Sequence, residues 1–123
     1  MAAILRGSVA VAWNGSPQAA RAIAASLALV ARAAEIVVIH AGADAAIVRP
    51  AVDFLAAHGL RARMRCIEPD GDTGILIESA VRESGSGLLV MGAYSHARAR
   101  EFVFGGVTRY MLSQAAFPLL LTH

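Results

Sequence analysis

The residues best suited to chemistry sit near the end of the chain, in GAYSHARAREFVFGGVT. An apolar run, Leu88–Met91, stops at Gly92, and Tyr94, Ser95 and His96 follow. Nine residues separate Ser95 from the pair Gly105–Gly106, after which Val107 and Thr108 resume a helical pattern. Glycines placed after a strand and ahead of a helix let backbone N–H groups come close to an anion. The positive end of the helix then favours phosphate. Arg98, Arg100 and Arg109 are able to meet a phosphate directly, or to form a solvated face with Glu101. The same glycines also suit an ordinary turn before a helix, and spacing alone does not separate the two readings. A second polar stretch, Trp13–Asn14–Gly15–Ser16, closes an apolar run that begins at Val9.

Several other chemistries are excluded by residues the chain lacks. All 11 basic residues are arginine. Without lysine there is no Walker A loop, no kinase strand lysine and no Schiff base. A two-component receiver domain, another small α/β fold, also relies on a lysine. The single cysteine, Cys66, forms no internal disulfide, and no Cys/His spacing suggests zinc. Cys66 is expected in the core, and the four histidines are expected on the surface or in loops. Ser95 and His96 are neighbours in sequence, which does not make a nucleophile–base pair. No paired carboxylates flank the glycine loop. The chain is therefore expected not to be an enzyme, with slow incidental ATP hydrolysis at most. A net charge of +2 is too weak to argue for nucleic acid. No apolar run reaches the roughly 20 residues of a membrane span. The start, MAAILRGSVAV, has too short an apolar block before Arg6 for a signal peptide. The expected location is the cytoplasm.

The elements that must position these residues alternate along the chain. A length of 123 residues with 57% hydrophobic and 16% charged residues bounds one domain, 1–123, with one core. Val9–Trp13 reads as a strand. Ser16 then caps a helix with Pro17 at its first position, and Ala20, Ile23, Ala24, Leu27 and Ala31 form its apolar stripe. Ile36–Ala41 is a β-branched strand broken by Gly42. Pro50 is read as opening a helix over Ala51–His58 closed by Gly59, which leaves Asp44–Arg49 as a loop or frayed turn. Leu60–Ile67 alternates strictly, with Arg61, Arg63 and Arg65 on one side and Ala62, Met64 and Cys66 on the other. The remaining strands are apolar on both faces, so this one is expected at the sheet edge, its arginines solvated. Asp72 or Thr73 caps a helix carrying Leu76, Ile77, Ala80 and Val81. Leu88–Met91 is the fourth strand, Val107, Met111, Leu112 and Ala115 mark the last helix, and Pro118–Thr122 is the last strand. Short crossovers between apolar strands predict a parallel sheet with helices on both faces. Ligands of such sheets bind at the carboxyl ends of the strands, where strand order reverses. The ends of the first and fourth strands are the candidates to flank that crevice. No G-x-G-x-x-G follows the first strand, so a dinucleotide site is not expected.

Over nearly its whole length the sequence resembles the universal stress protein family. Nucleotide-binding members of that family carry G-x-x-G, nine residues, then G-[ST] from the fourth strand into the last helix. Gly92 and Gly105 match the first and third glycines, with the spacing intact. The strand-ending D-G-S of the family appears as Asn14–Gly15–Ser16, and its closing apolar strand as Pro118–Leu119–Leu120–Leu121. The departures fall where a ligand would sit: Ser95 for the second glycine, Gly106 for the hydroxyl residue, Asn14 for the acid. The segment looks like a variant found in second halves of tandem stress proteins, where G-G-[AV]-T-R replaces the usual pattern.

The resemblance implies an α/β three-layer sandwich with a five-stranded parallel sheet in the order 3-2-1-4-5. It also implies a stress-response module binding ATP or AMP. The implied site is Trp13, Asn14, Ala41, Met91, Gly92, Tyr94, Ser95, Gly105, Gly106, Val107 and Thr108. Ala41 and Met91 would line the base, and Trp13 or Tyr94 would stack on it. Gly106 keeps a backbone N–H but loses a hydroxyl, worth about 1 kcal/mol net, which Thr108 is placed to supply. Asn14 keeps an amide but holds a metal poorly, so magnesium is left open. A homodimer pairing through the last strand is expected. The alternative is a dimeric interaction protein whose crevice binds no nucleotide.

Overall fold

The computed structural model describes residues 7–69, 71–93 and 106–122. Five strands, β1 (Ser8–Ala12), β2 (Glu35–Ala41), β3 (Ala62–Ile67), β4 (Ser86–Gly92) and β5 (Leu119–Thr122), form one parallel sheet in the order β3-β2-β1-β4-β5. Helices α1 (Pro17–Val30), α2 (Ala45–Ala57), α3 (Thr73–Glu83) and α4 (Gly106–Gln114) make the crossovers. The three central strands are apolar on both faces because both are covered. On one face Val9, Val11, Val38 and Val90 pack against Ile23, Val30, Val48 and Leu55 of α1 and α2. On the other, Ala10, Val37, Ile39 and Leu89 pack against Ile77, Val81 and Met111 of α3 and α4. This is the expected three-layer sandwich, with the expected strand order. β1 lies between β2 and β4 with direct parallel register, Val11 opposite Val38 on one side and Val90 on the other. The chain thus leaves β1 toward β2 and β3, and later returns to its other side for β4 and β5. The carboxyl ends of β1 and β4 are where strand order reverses.

Local signals place the helices. Ser16 caps α1, its Oγ accepting from Ala19 N at 3.1 Å, with Pro17 in the first turn. Asp72 caps α3, accepting from Gly74 N at 2.9 Å. Four expectations are corrected. The stripe of α1 is Ala19, Ala22, Ile23, Ser26 and Val30, while Ala20, Ala24 and Ala31 are exposed. In an alanine-rich helix, alanine does not mark a face. Helix α2 begins at Ala45, capped by Asp44, and runs through Pro50. The continuous stripe Val48, Ala51 and Leu55 packs on the sheet, and that burial outweighs the roughly 3 kcal/mol that an internal proline costs. On β3 the alternation does not bury the non-arginine side: Met64 is 37% exposed and Cys66 is exposed. β3 is the sheet edge, as expected, and Arg63 and Arg65 pair with Glu35 and Glu83 at its surface. Leu112 of α4, expected on the apolar side, is also exposed. No helix among the described residues is long and apolar enough to cross a membrane.

Candidate functional site

A cavity of about 300 Å³ opens at the carboxyl ends of β1, β2 and β4. It is lined by Ala12, Trp13 and Asn14 after β1, by His40 and Ala41 at the end of β2, and by Met91 and Gly92 at the end of β4. Ala19, Thr73, Val107 and Thr108, each from the first turn of a helix, add to the wall, with Pro69 and Ile77. The sequence-derived candidates Trp13, Asn14, Ala41, Met91, Gly92, Val107 and Thr108 are thereby brought together around one space. Tyr94, Ser95 and Gly105 lie outside the described residues, as do Arg98, Arg100, Glu101 and His96. Gly106 begins α4.

The side below β1 is tied together by backbone and ring contacts. Trp13 N–H donates to the Ile39 carbonyl at 2.8 Å, which continues the β1–β2 ladder one residue beyond the strand. The Trp13 indole Nε1–H donates to the Ile47 carbonyl of α2 at 2.6 Å. The Trp13 carbonyl accepts from His40 Nδ1 at 2.8 Å. Because a carbonyl only accepts, Nδ1 carries the proton. His40 is 7% exposed, so the expectation of a surface histidine is corrected. Its ring occupies the space where Gly42, at φ +152°, would carry a side chain: a β-carbon there would lie 2.9 Å from His40 Nε2. Sequence reading missed His40, though a polar residue in the last position but one of a buried strand, next to the turn of its neighbour, was a usable signal.

Asn14 is exposed, and its Oδ1 accepts from Ser16 N–H at 3.0 Å. The amide oxygen therefore shapes the turn that starts α1, a local side chain–backbone bond common to Asn and Asp. Gly92 approaches the same turn from the other side. A β-carbon on Gly92 would lie 2.6 Å from Ala19 N and from the carbonyl carbon of Gln18. Glycine is thus required here by contact between the end of β4 and the backbone of α1, independently of any ligand.

Helix α4, which carries Val107 and Thr108, is braced against α3. A β-carbon on Gly74 would lie 2.8 Å from Cβ and Cγ of Tyr110, so the two helices meet closely at this glycine. The Tyr110 hydroxyl donates to Glu78 Oε1 at 2.5 Å, and Arg82 donates to Glu78 Oε2 at 3.0 Å. The hydrogen bond to the Glu78 carboxylate, with some burial and the nearby negative charge of Glu78 and Asp72, raises the Tyr110 pKa above its usual 10.0. Thr108, two residues earlier in α4 and in the cavity wall, is 3% exposed.

The lining combines apolar residues, among them Ala12, Ile77 and Met91, with the polar Asn14, His40, Thr73 and Thr108. Among the described residues no cluster of His, Cys, Asp or Glu is placed to hold a metal ion. Such a space suits a small, partly flat organic ligand with a polar end, held without covalent chemistry.

Comparison with known proteins bears on the fold. No family model and no curated protein matches this chain. Solved structures do. A universal stress protein family protein from Burkholderia pseudomallei matches with TM-score 0.70 and 26% identity, over 96% of each chain. A universal stress protein in complex with cAMP matches with TM-score 0.73 and 20% identity, over 97% of this chain and 98% of that one. The universal stress protein from Archaeoglobus fulgidus in complex with dAMP matches with TM-score 0.67 and 19% identity, over 97% and 98%. The resemblance read from the sequence therefore holds at the level of the whole fold.

Proposed function

We propose that this chain, folded like the universal stress proteins over almost its full length, is a stress-response binding module. It takes an adenine nucleotide, ATP or AMP, in the cavity at the ends of β1 and β4, without turnover. One observation carries the reading: seven residues that the family resemblance implies for the site line one cavity of about 300 Å³. That volume lies at the small end of the roughly 300–1,000 Å³ typical of ligand sites. Structures of similar fold in complex with cAMP and dAMP support the choice of an adenine nucleotide. The apolar lining residues suit a base, and the first turns of α1 and α4 suit a phosphate. The loop after β4, with Tyr94, Ser95 and Gly105, belongs to the same proposal. Turnover forms no part of the proposal.

A second reading is favoured by Gly92, whose contact with α1 accounts for that glycine without a ligand. The chain would then be a cytoplasmic homodimeric interaction protein, pairing through Pro118–Thr122, with a vestigial crevice. Native mass spectrometry of the purified protein, followed by titration with ATP, separates the two. A retained or titrated adenine nucleotide supports the first reading. A folded protein that stays empty at millimolar ATP supports the second. The dimer itself is tested by changing Leu119 and Leu121 together to Asp: dissociation supports pairing through β5, and an unchanged dimer refutes it.

A further inference from the structure

We infer that Tyr110 and Glu78 form a brace that holds the first turn of α4 in place as a wall of the cavity, which makes them positioning residues for the bound nucleotide. Neither belongs to the described lining itself. This role rests on the reading that the cavity takes an adenine nucleotide. On α3, Thr73 and Ile77 line the cavity. Gly74 and Glu78 each follow one of them by a single residue, so they form a second row on that helix, four residues apart. On α4, Val107 and Thr108 line the cavity, and Tyr110 lies three residues beyond Val107 on the same side of the helix.

Tyr110 meets that second row twice. A β-carbon on Gly74 would lie 2.8 Å from Cβ and Cγ of Tyr110, so the root of the tyrosine side chain sits directly on the α3 backbone. Its hydroxyl donates to Glu78 Oε1 at 2.5 Å, and Arg82 donates to Glu78 Oε2 at 3.0 Å. Glu78 is 8% exposed, and a carboxylate so deeply buried requires both bonds. The Arg82 side chain lies largely in water, where an ion pair is weak. The stronger tie is the short, charge-assisted bond across to α4. Met111 also anchors α4, by apolar packing against the sheet. Apolar packing is non-directional, whereas the Tyr110–Glu78 bond has a required length and angle. The bond therefore sets how α4 is turned against α3, and with it where Val107 and Thr108 stand in the cavity wall. When α4 samples several positions, a ligand that needs one of them binds more weakly, in proportion to the time that position is lost.

The test is calorimetric titration of the intact chain with AMP and with ATP. Tyr110→Phe keeps the ring on Gly74 and removes the hydroxyl; Glu78→Ala removes the other end of the bond. Each should weaken whichever nucleotide the wild type binds by at least about fivefold. The double variant should be no weaker than the poorer single one, because either change breaks the same bond. Glu78→Gln keeps an oxygen that accepts from the tyrosine hydroxyl and should bind within about twofold of wild type. The brace variants also lose stability, so Val30→Ala is the control. Val30 is buried at the end of α1 away from the cavity, and its variant should bind within about twofold of wild type while it remains folded. Should Glu78→Ala fail to fold, the comparison of Tyr110→Phe, Glu78→Gln and Val30→Ala decides. A folded Tyr110→Phe protein that binds as tightly as Val30→Ala overturns this inference and leaves nucleotide binding standing. So does a Glu78→Gln protein as weak as Tyr110→Phe. Failure of the wild type to bind either nucleotide refutes the proposed function and this inference with it.

Discussion

Gly92→Ala should destabilise the fold before it affects any ligand. The added β-carbon would sit 2.6 Å from Ala19 N and from the Gln18 carbonyl carbon. Both are backbone atoms of the first turn of α1, and that turn is held by the Ser16 cap and by the Asn14 bond to Ser16 N–H. No side-chain rotation relieves the clash, so β4 and α1 must separate. Overpacking of this kind costs about 1–3 kcal/mol, and backbone neighbours place it in the upper part of that range. A gain of up to about 1 kcal/mol from replacing a flexible glycine in a strand works against it. The net loss is about 1–2 kcal/mol, a sizeable share of a stability of roughly 5–15 kcal/mol. With a urea slope of about 1–3 kcal/mol/M, the unfolding midpoint should fall by roughly 1 M. Gly7→Ala is the control, because its β-carbon would meet only the Gly85 carbonyl oxygen at an ordinary 3.9 Å. Its midpoint should stay within about 0.2 M of wild type. Equal midpoints for Gly92→Ala and wild type, or equal losses in the two variants, would refute the reasoning. The practical consequence is that loss of ligand in a Gly92 variant does not by itself report a phosphate contact.

Three further outcomes are expected. Tyr110 has its pKa raised above 10.0 in the folded state, chiefly by its bond to Glu78. Its contribution is therefore fully present below pH 10 and is lost as pH rises through the folded value. Wild-type midpoints should fall on passing above pH 10, and Tyr110→Phe, already weaker at neutral pH, should show less of that alkaline loss. Pro50→Ala restores an N–H inside α2 and should stabilise the protein by about 1–3 kcal/mol, net of the roughly 0.4–1 kcal/mol that proline removes from the unfolded state. A thermal midpoint unchanged or lowered would count against an internal proline in α2. Cys66, exposed on the edge strand, should react with a thiol reagent in the folded protein at close to the rate of a free thiol. Reaction only after unfolding would show that it is covered.

The sequence alone carried the architecture, because the signals behind it are local. Ser16–Pro17 and Asp72 cap their helices whatever the rest of the chain does. Apolar runs such as Ile36–Ala41 and Leu88–Met91 are legible as doubly covered strands, and the alternating arginines marked β3 as an edge. The family resemblance carried by those motifs then implied a site of which Trp13, Asn14, Ala41, Met91, Gly92, Val107 and Thr108 line one cavity. Tertiary structure decided what depends on neighbours distant in the chain. Whether Cys66 and Met64 are covered depends on how far the helices reach over β3, and alternation is silent on that. The start of α2 depends on burial against the sheet strong enough to carry Pro50. His40 became part of the site because β1 delivers the Trp13 carbonyl to its ring, a contact 27 residues apart in sequence. Gly92 showed the same division: its spacing announced a phosphate loop, and the α1 backbone at 2.6 Å from its missing side chain revealed a packing requirement. Local chemistry is written in short stretches of sequence, but close approach between two elements is a property of the pair.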